Sequence, residues 1–137
     1  AILELAQDVP YNIQRLAYEC WNLLRDGEAA ALTPETVQEA LGRLVRRDDP
    51  FYTQTWNSLV STQQRALMAI VAGDGQGMLS QEVLSAHGLA AATMQTAIRA
   101  LVKKGILRYE ETRGSVRYRL EDPFLGVWVE TVVRSNA

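Results

Sequence analysis

Apolar residues recur at helical spacing through roughly the first two-thirds of the chain and alternate with polar ones only after Gly105. Ile13, Leu16, Ala17, Cys20, Trp21 and Leu24 define one broad apolar face of a helix that opens at Pro10 and stops at Gly27. Proline suits that first turn because the N–H it lacks has no partner there. Val37, Ala40, Leu41, Leu44 and Val45 repeat the pattern behind Thr33-Pro34, a cap followed by a first-turn proline. A charged break, Arg46-Arg47-Asp48-Asp49-Pro50, leads to Phe51, Tyr52 and Trp56, an aromatic cluster read as inter-helix packing. Ser61 with Gln64 three residues on is a capping-box signal for a helix turning Leu67, Ile70 and Val71 inward. Gly73-Asp74-Gly75-Gln76-Gly77 ends that helix.

From Ser80 to Glu121 the pattern changes. Ser80 caps a short helix with Val83 and Leu84 inward, and Gly88 supplies the positive φ of a sharp inter-helix turn. In the next helix Met94, Ile98 and Leu101 stand at i, i+4 and i+7. Geometry then fixes its outer face as Ala91, Ala92, Thr93, Gln95, Thr96, Arg99 and Lys103. Gly105 ends the helix, and 106–110 and 116–120 read as two strands joined at Arg113-Gly114. Val116, Tyr118 and Leu120 alternate with Arg117 and Arg119, the pattern of a half-buried strand with a basic outer face. Helix, turn, helix, strand, turn, strand is the order of a winged helix-turn-helix. The expected fold is therefore mainly α with a small β-hairpin, a helical segment over 1–47 preceding a winged helix-turn-helix domain over 48–137.

Charge sharpens this picture. The chain carries net charge −2, yet the stretch 92–119 holds seven of its 14 Lys and Arg against only Glu110 and Glu111. Such polarity suggests an anionic partner, and duplex DNA is the expected one. The candidate DNA-binding residues are Thr93, Gln95, Thr96, Arg99, Lys103, Lys104, Arg113 and Arg117. Small residues at the helix start allow close approach to a duplex, Gln95 can reach base edges, and Arg99 and Lys103 suit bases or phosphates. Arg113 at the hairpin tip suits the backbone or the minor groove. The alternative is a winged-helix module that faces protein, for interaction or autoregulation, with its positive residues paired to the acidic N-terminal half.

Composition closes other routes. One cysteine excludes an internal disulfide and a cysteine-based zinc site, and fits a reducing cytoplasm. His87 is the only histidine and is read as turn packing, with no metal site around it. The glycines at 73–77 are followed by no Gly-Lys-Ser/Thr, so no phosphate loop is expected there, and no catalytic constellation stands out. No apolar run nears the ~20 residues of a membrane span. Phe124, Val127, Trp128 and Val132 form an apolar tail that either closes the core or pairs with a second copy. The opening AILELAQ, without Met and already helical in pattern, reads as the cut end of a longer protein.

Several stretches together resemble the C-terminal portion of a family of prokaryotic ATPases, related to the AAA+ and STAND classes, that end in a winged helix. Val9-Pro10-Tyr11 with Ile13-Gln14, Leu16 and Trp21 is similar to the family's Gly-x-Pro-Tyr-x-x-Gln lid helix, with Asp8 or Val9 at the glycine. Asp49-Pro50-Phe51-Tyr52, Trp56, Leu59, Thr62-Gln63 and Leu67 follow in order. The stretch 118–124 with Trp128 then resembles the Asp-Pro ending after the wing. The resemblance implies an ATPase core upstream of this segment, binding ATP and Mg²⁺ and partnering the winged helix. It implies no cofactor in the segment itself, and no arginine is assigned as a nucleotide sensor.

Overall fold

The computed structural model describes residues 1–7 and 10–134. Asp8 and Val9, where the resemblance to the Gly-x-Pro-Tyr-x-x-Gln stretch begins, lie outside the described residues. The chain divides into two compact units, Ala1–Phe51 and Tyr52–Ala137.

The first unit contains α1 (Ile2–Ala6), α2 (Pro10–Arg25) and α3 (Pro34–Arg47). Thr33 caps α3 as its composition demands, with Oγ1 accepting from the Thr36 N–H at 3.2 Å and Pro34 in the first turn. Val37, Ala40, Leu41, Leu44 and Val45 are all buried, as their spacing predicts.

The inward face of α2 differs from the expected one. Leu16, Cys20 and Leu23 are buried beside Asn12 and Glu19, whereas Ala17 and Trp21 are exposed. The cause is an ion pair. Glu19 is 2% exposed and its carboxylate accepts from Arg47 of α3. A buried carboxylate is tolerable only with such a partner, and satisfying it turns Trp21 outward. Arg15 binds Asp48 just after α3. The Cys20 thiol is pushed up first by burial and then by the Glu19 charge, so it packs rather than reacts. Arg43 holds both carboxylate oxygens of Glu28, one at 3.2 Å, and this hydrogen bonding keeps the Glu28 carboxyl below its usual range.

The unit boundary falls within α4 (Asp49–Asn57). The second unit continues with α5 (Ser61–Ala72), α6 (Gln81–His87), α7 (Ala91–Lys103), β1 (Leu107–Thr112), β2 (Ser115–Leu120) and α8 (Pro123–Trp128), ending in a π-helical turn over Val129–Val133. Leu67, Ile70, Leu84, Met94, Ile98 and Leu101 form the centre of its core, roofed by Leu107. The mainly helical chain with one antiparallel hairpin is the expected fold class.

Local signals account for most helix ends. Ser80 Oγ accepts from Val83 N–H at 3.3 Å, and Gly88 turns at φ 65°. The start of α5 is a correction: its cap is Val60, whose side chain can accept nothing. Gln63 bonds the Val60 N–H at 3.2 Å, while Gln64 instead donates to the Trp56 carbonyl at 3.0 Å. The box is thus shifted by one residue and half made.

The aromatic cluster is packing, in part. Tyr52 is buried and donates to Asp122 Oδ2 at 2.8 Å, while Asp122 Oδ1 accepts from Phe124 N–H at 3.0 Å and caps α8. Trp128 lies against both Tyr52 (6.2 Å between centroids) and Trp56 (6.3 Å). Phe51 is exposed. Of the apolar tail, Phe124 and Trp128 are buried and close the core together with Val129, while Val127 and Val132 are half-buried.

The hairpin pairs Leu107 with Leu120, Tyr109 with Tyr118 and Glu110 with Arg117. Arg113 (φ 53°) and Gly114 (φ 79°) both take positive φ, the primed turn that matches strand twist. Gly75 reaches across to β2: its carbonyl accepts from Tyr118 N–H at 3.0 Å. A Cβ on Gly75 would lie 1.9 Å from the Tyr118 carbonyl oxygen, and φ is +79°. Arg117 Nε adds a bond to the Asp74 carbonyl at 2.9 Å.

Urea unfolding of Gly75→Ala should show a loss above about 3 kcal/mol. Gly77→Ala, at φ +61° but with open space around the added carbon, should lose only about 1 kcal/mol. Asp122→Ala removes a cap and a charged acceptor and should cost about 3 kcal/mol, against about 1.5 kcal/mol for Tyr52→Phe. Lastly, because folding lowers the Glu28 value, the pair with Arg43 contributes above the unfolded carboxylate range and fades as pH falls through the lowered value. An NMR titration of Glu28 should move up to the ordinary range in Arg43→Ala.

Candidate nucleic-acid interface

The outer face of α7 is set by the burial of Met94, Ala97, Ile98 and Leu101. Opposite them Ala91, Ala92, Gln95, Thr96, Arg99 and Lys103 are exposed and Thr93 is half-buried. The helix cap is Ala90, which offers no side-chain bond. Its first amide N–H groups are therefore left to solvent or a ligand. Thr96 Oγ1 donates back to the Ala92 carbonyl at 3.0 Å.

Two grooves flank this face. One, with a cavity volume of about 380 Å³, runs between α7 and the wing; Gln95, Ile98 and Arg99 form one wall, Val116 and Tyr118 the other, and Gly75, Gly77, Met78 and Leu79 the floor. The second, about 360 Å³, places Ala92, Thr93 and Thr96 against Val60, Thr62 and Gln63 at the start of α5. The residues expected on one reading face are thus shared between two depressions. Gln95 and Arg99 look toward the wing, Thr93 and Thr96 toward α5.

Electrostatics trims the basic surface that the composition suggests. Glu110 holds Arg108 at 3.0 Å and Arg119 at 3.7 Å, and Arg108 lies 4.0 Å from Glu121. Of the expected basic outer face of β2, Arg119 is thus neutralised within the hairpin, and burial along β2 does not alternate. Arg117 is half-buried, bonds the Asp74 carbonyl and forms no ion pair among the described residues. Lys104 bonds Gln63 Oε1 at 3.2 Å. Arg99, Lys103 and Arg113 form no ion pair among the described residues and are exposed. The second unit carries nine Lys and Arg against seven Asp and Glu, net +2, while the first is net −4.

Little in the local sequence pattern announces the wing-side groove. Its floor comes from Met78 and Leu79, and its shape from the backbone approach of Gly75 to Tyr118. The only local signal was a glycine at 75 where a helix stop alone needs none.

Among the described residues no helix is long and apolar enough to cross a membrane. No curated protein and no solved structure matches the chain. A family model described as "Probable winged helix domain" matches residues 50–131, more than half of the chain, and covers α5, α6, α7 and both wing strands. With that match laid over the helix order and hairpin found in the second unit, the chain belongs to the probable winged helix domain family.

Proposed function

We propose that the chain is a winged-helix DNA-binding domain, the C-terminal part of a larger prokaryotic ATPase that acts in the cytoplasm. The observation that carries the DNA reading is the set Arg99, Lys103 and Arg113, exposed and without ion pairs among the described residues. They flank the polar face of α7, in a unit whose other wing arginines are neutralised or tied to backbone. Each cation in contact with a phosphate releases counterions on binding, which supplies affinity without sequence information. The uncapped start of α7 adds free N–H groups suited to a phosphate. Gln95 and Arg99 face the wing-side groove and are the residues assigned to base edges, with Thr93, Thr96 and Lys104 on the α5 side and Arg117 near the wing.

The ATPase part of the proposal rests on the ordered motifs from Pro10-Tyr11 to Trp128. ATP and Mg²⁺ belong to the upstream core in this reading, and the segment itself holds neither cofactor nor catalytic centre. A phosphate-loop motif upstream in the full-length gene would support it; a gene with none would remove it. A protein-facing role is the second reading, favoured by the apolar exposure of Leu79 and Val116 beside the wing-side groove.

Binding to random-sequence duplex, measured by anisotropy between about 50 and 300 mM salt, tests the DNA reading. The combination Arg99→Ala, Lys103→Ala and Arg113→Asn should reduce the log–log salt slope by about 3 and weaken binding at least tenfold at the lower salt. Asparagine keeps the primed turn, so the wing stays folded. Arg108→Ala with Arg119→Ala should leave the slope unchanged. Absence of binding at the lower salt, or a slope unmoved by the triple variant, would select the protein-facing role.

A further inference from the structure

The exposed side of α2 has no part in the DNA reading, and its composition is unusual. Tyr11, Tyr18 and Trp21 are 67%, 57% and 53% exposed, three large aromatics along one helix of 16 residues. Two arginines lie among them. Arg15 sits 5.3 Å from the Tyr11 ring centroid and Arg25 4.7 Å from that of Trp21, while Tyr18 and Trp21 stack at 6.3 Å. Both arginines already have carboxylate partners, Asp48 and Asp26 respectively. The stripe is therefore aromatic and near neutral, a poor match for a polyanion.

Its order is self-complementary about Tyr18. Three residues to either side stand Arg15 and Trp21, four to either side Gln14 and Asn22, and seven to either side Tyr11 and Arg25. Steps of three, four and seven return to the same side of a helix. When two such helices lie antiparallel about a two-fold axis at Tyr18, every arginine of one faces an aromatic ring of the other. Tyr11 meets Arg25, Arg15 meets Trp21, and Gln14 meets Asn22.

We infer that α2 is a homodimer surface, whose occupant is a second copy of the same helix packed antiparallel across Tyr18. The two-fold arrangement makes one patch its own complement. Each copy contributes three aromatics and the stems of two arginines, on the order of 1,000 Å² in total at the lower limit of specific interfaces. The dimer is accordingly a weak one, assembling in the micromolar range. The inference concerns the first unit alone and does not rest on the DNA reading.

Sedimentation velocity of the full chain from about 1 to 500 µM should show a reversible dimer, and Tyr18→Lys, which opposes two like charges at the axis, should weaken it at least tenfold. Register is tested by oxidative cross-linking. Tyr18→Cys should form a disulfide dimer at least tenfold faster than Tyr11→Cys, because only residue 18 meets its own copy; native Cys20 is buried. Circular dichroism of each variant confirms that it is folded. A chain that stays monomeric throughout would overturn the inference. So would a dimer indifferent to Tyr18→Lys, or equal cross-linking of the two cysteine variants.

Discussion

The wing is placed by a backbone-to-backbone contact that only one residue type permits. Two strands alone are marginal in water, and this hairpin gains a third layer of support where the Gly75 carbonyl meets the Tyr118 N–H. No side chain fits there, since the nearest oxygen would sit 1.9 Å from a Cβ. The same approach sets Asp74 beside Arg117 and lays Met78 and Leu79 under α7. At the base of the hairpin, Glu121 N–H donates to the Ile106 carbonyl at 2.9 Å, closing the other end. Between those two ties the angle of the wing to α7 is fixed, and with it the width of the groove holding Gln95 and Arg99.

Where a feature depended on neighbours in sequence, it could be read in advance. Thr33-Pro34, Ser80, Gly88 and Gly105 each act within a turn of the chain, the first two starting a helix and the last two ending one where composition says. The inward set Met94, Ile98 and Leu101 follows from periodicity alone. Failures came from partners distant in sequence. The face of α2 is turned by Arg47, 28 residues from Glu19. The α5 cap moved because Gln64 is taken by a carbonyl eight residues earlier. Gly75 read as a helix stop because nothing local announces Tyr118. For the candidate site, exposure of Gln95, Thr96, Arg99 and Lys103 was legible; the half-burial of Thr93 and the division between two grooves were not.

Charge shows the same division between tally and arrangement. Seven basic residues between 92 and 119 suggest a continuous positive surface. Cross-strand geometry consumes part of it, because Glu110 stands between Arg108 and Arg119 on one face of the hairpin. The wing is therefore nearly neutral along its body and positive at its tip. Net charge is equally uninformative about the partner: −2 for the chain conceals −4 and +2 in its two units. A patch is defined by which cations stay exposed with neither a carboxylate nor another hydrogen-bond partner, and among the described residues of α7 and the wing these are Arg99, Lys103 and Arg113.

That distribution bears on what kind of DNA reader the proposal describes. Base discrimination needs side chains that pair two donors or acceptors with a base edge, and on the exposed face of α7 those are Gln95 and Arg99. Ala91 and Ala92 have nothing to offer beyond close approach. Thr96 spends its hydroxyl proton on the Ala92 carbonyl, keeping only an accepting lone pair for a base. Arg113 sits on a positive-φ turn whose placement the rest of the hairpin determines, which suits a phosphate or the narrow groove rather than a coded contact. Affinity in such an interface comes mainly from phosphate neutralisation and is steeply salt-dependent. Selection among sequences would then have to come from outside these two residues: from DNA shape, from a second domain, or from a second copy of the chain.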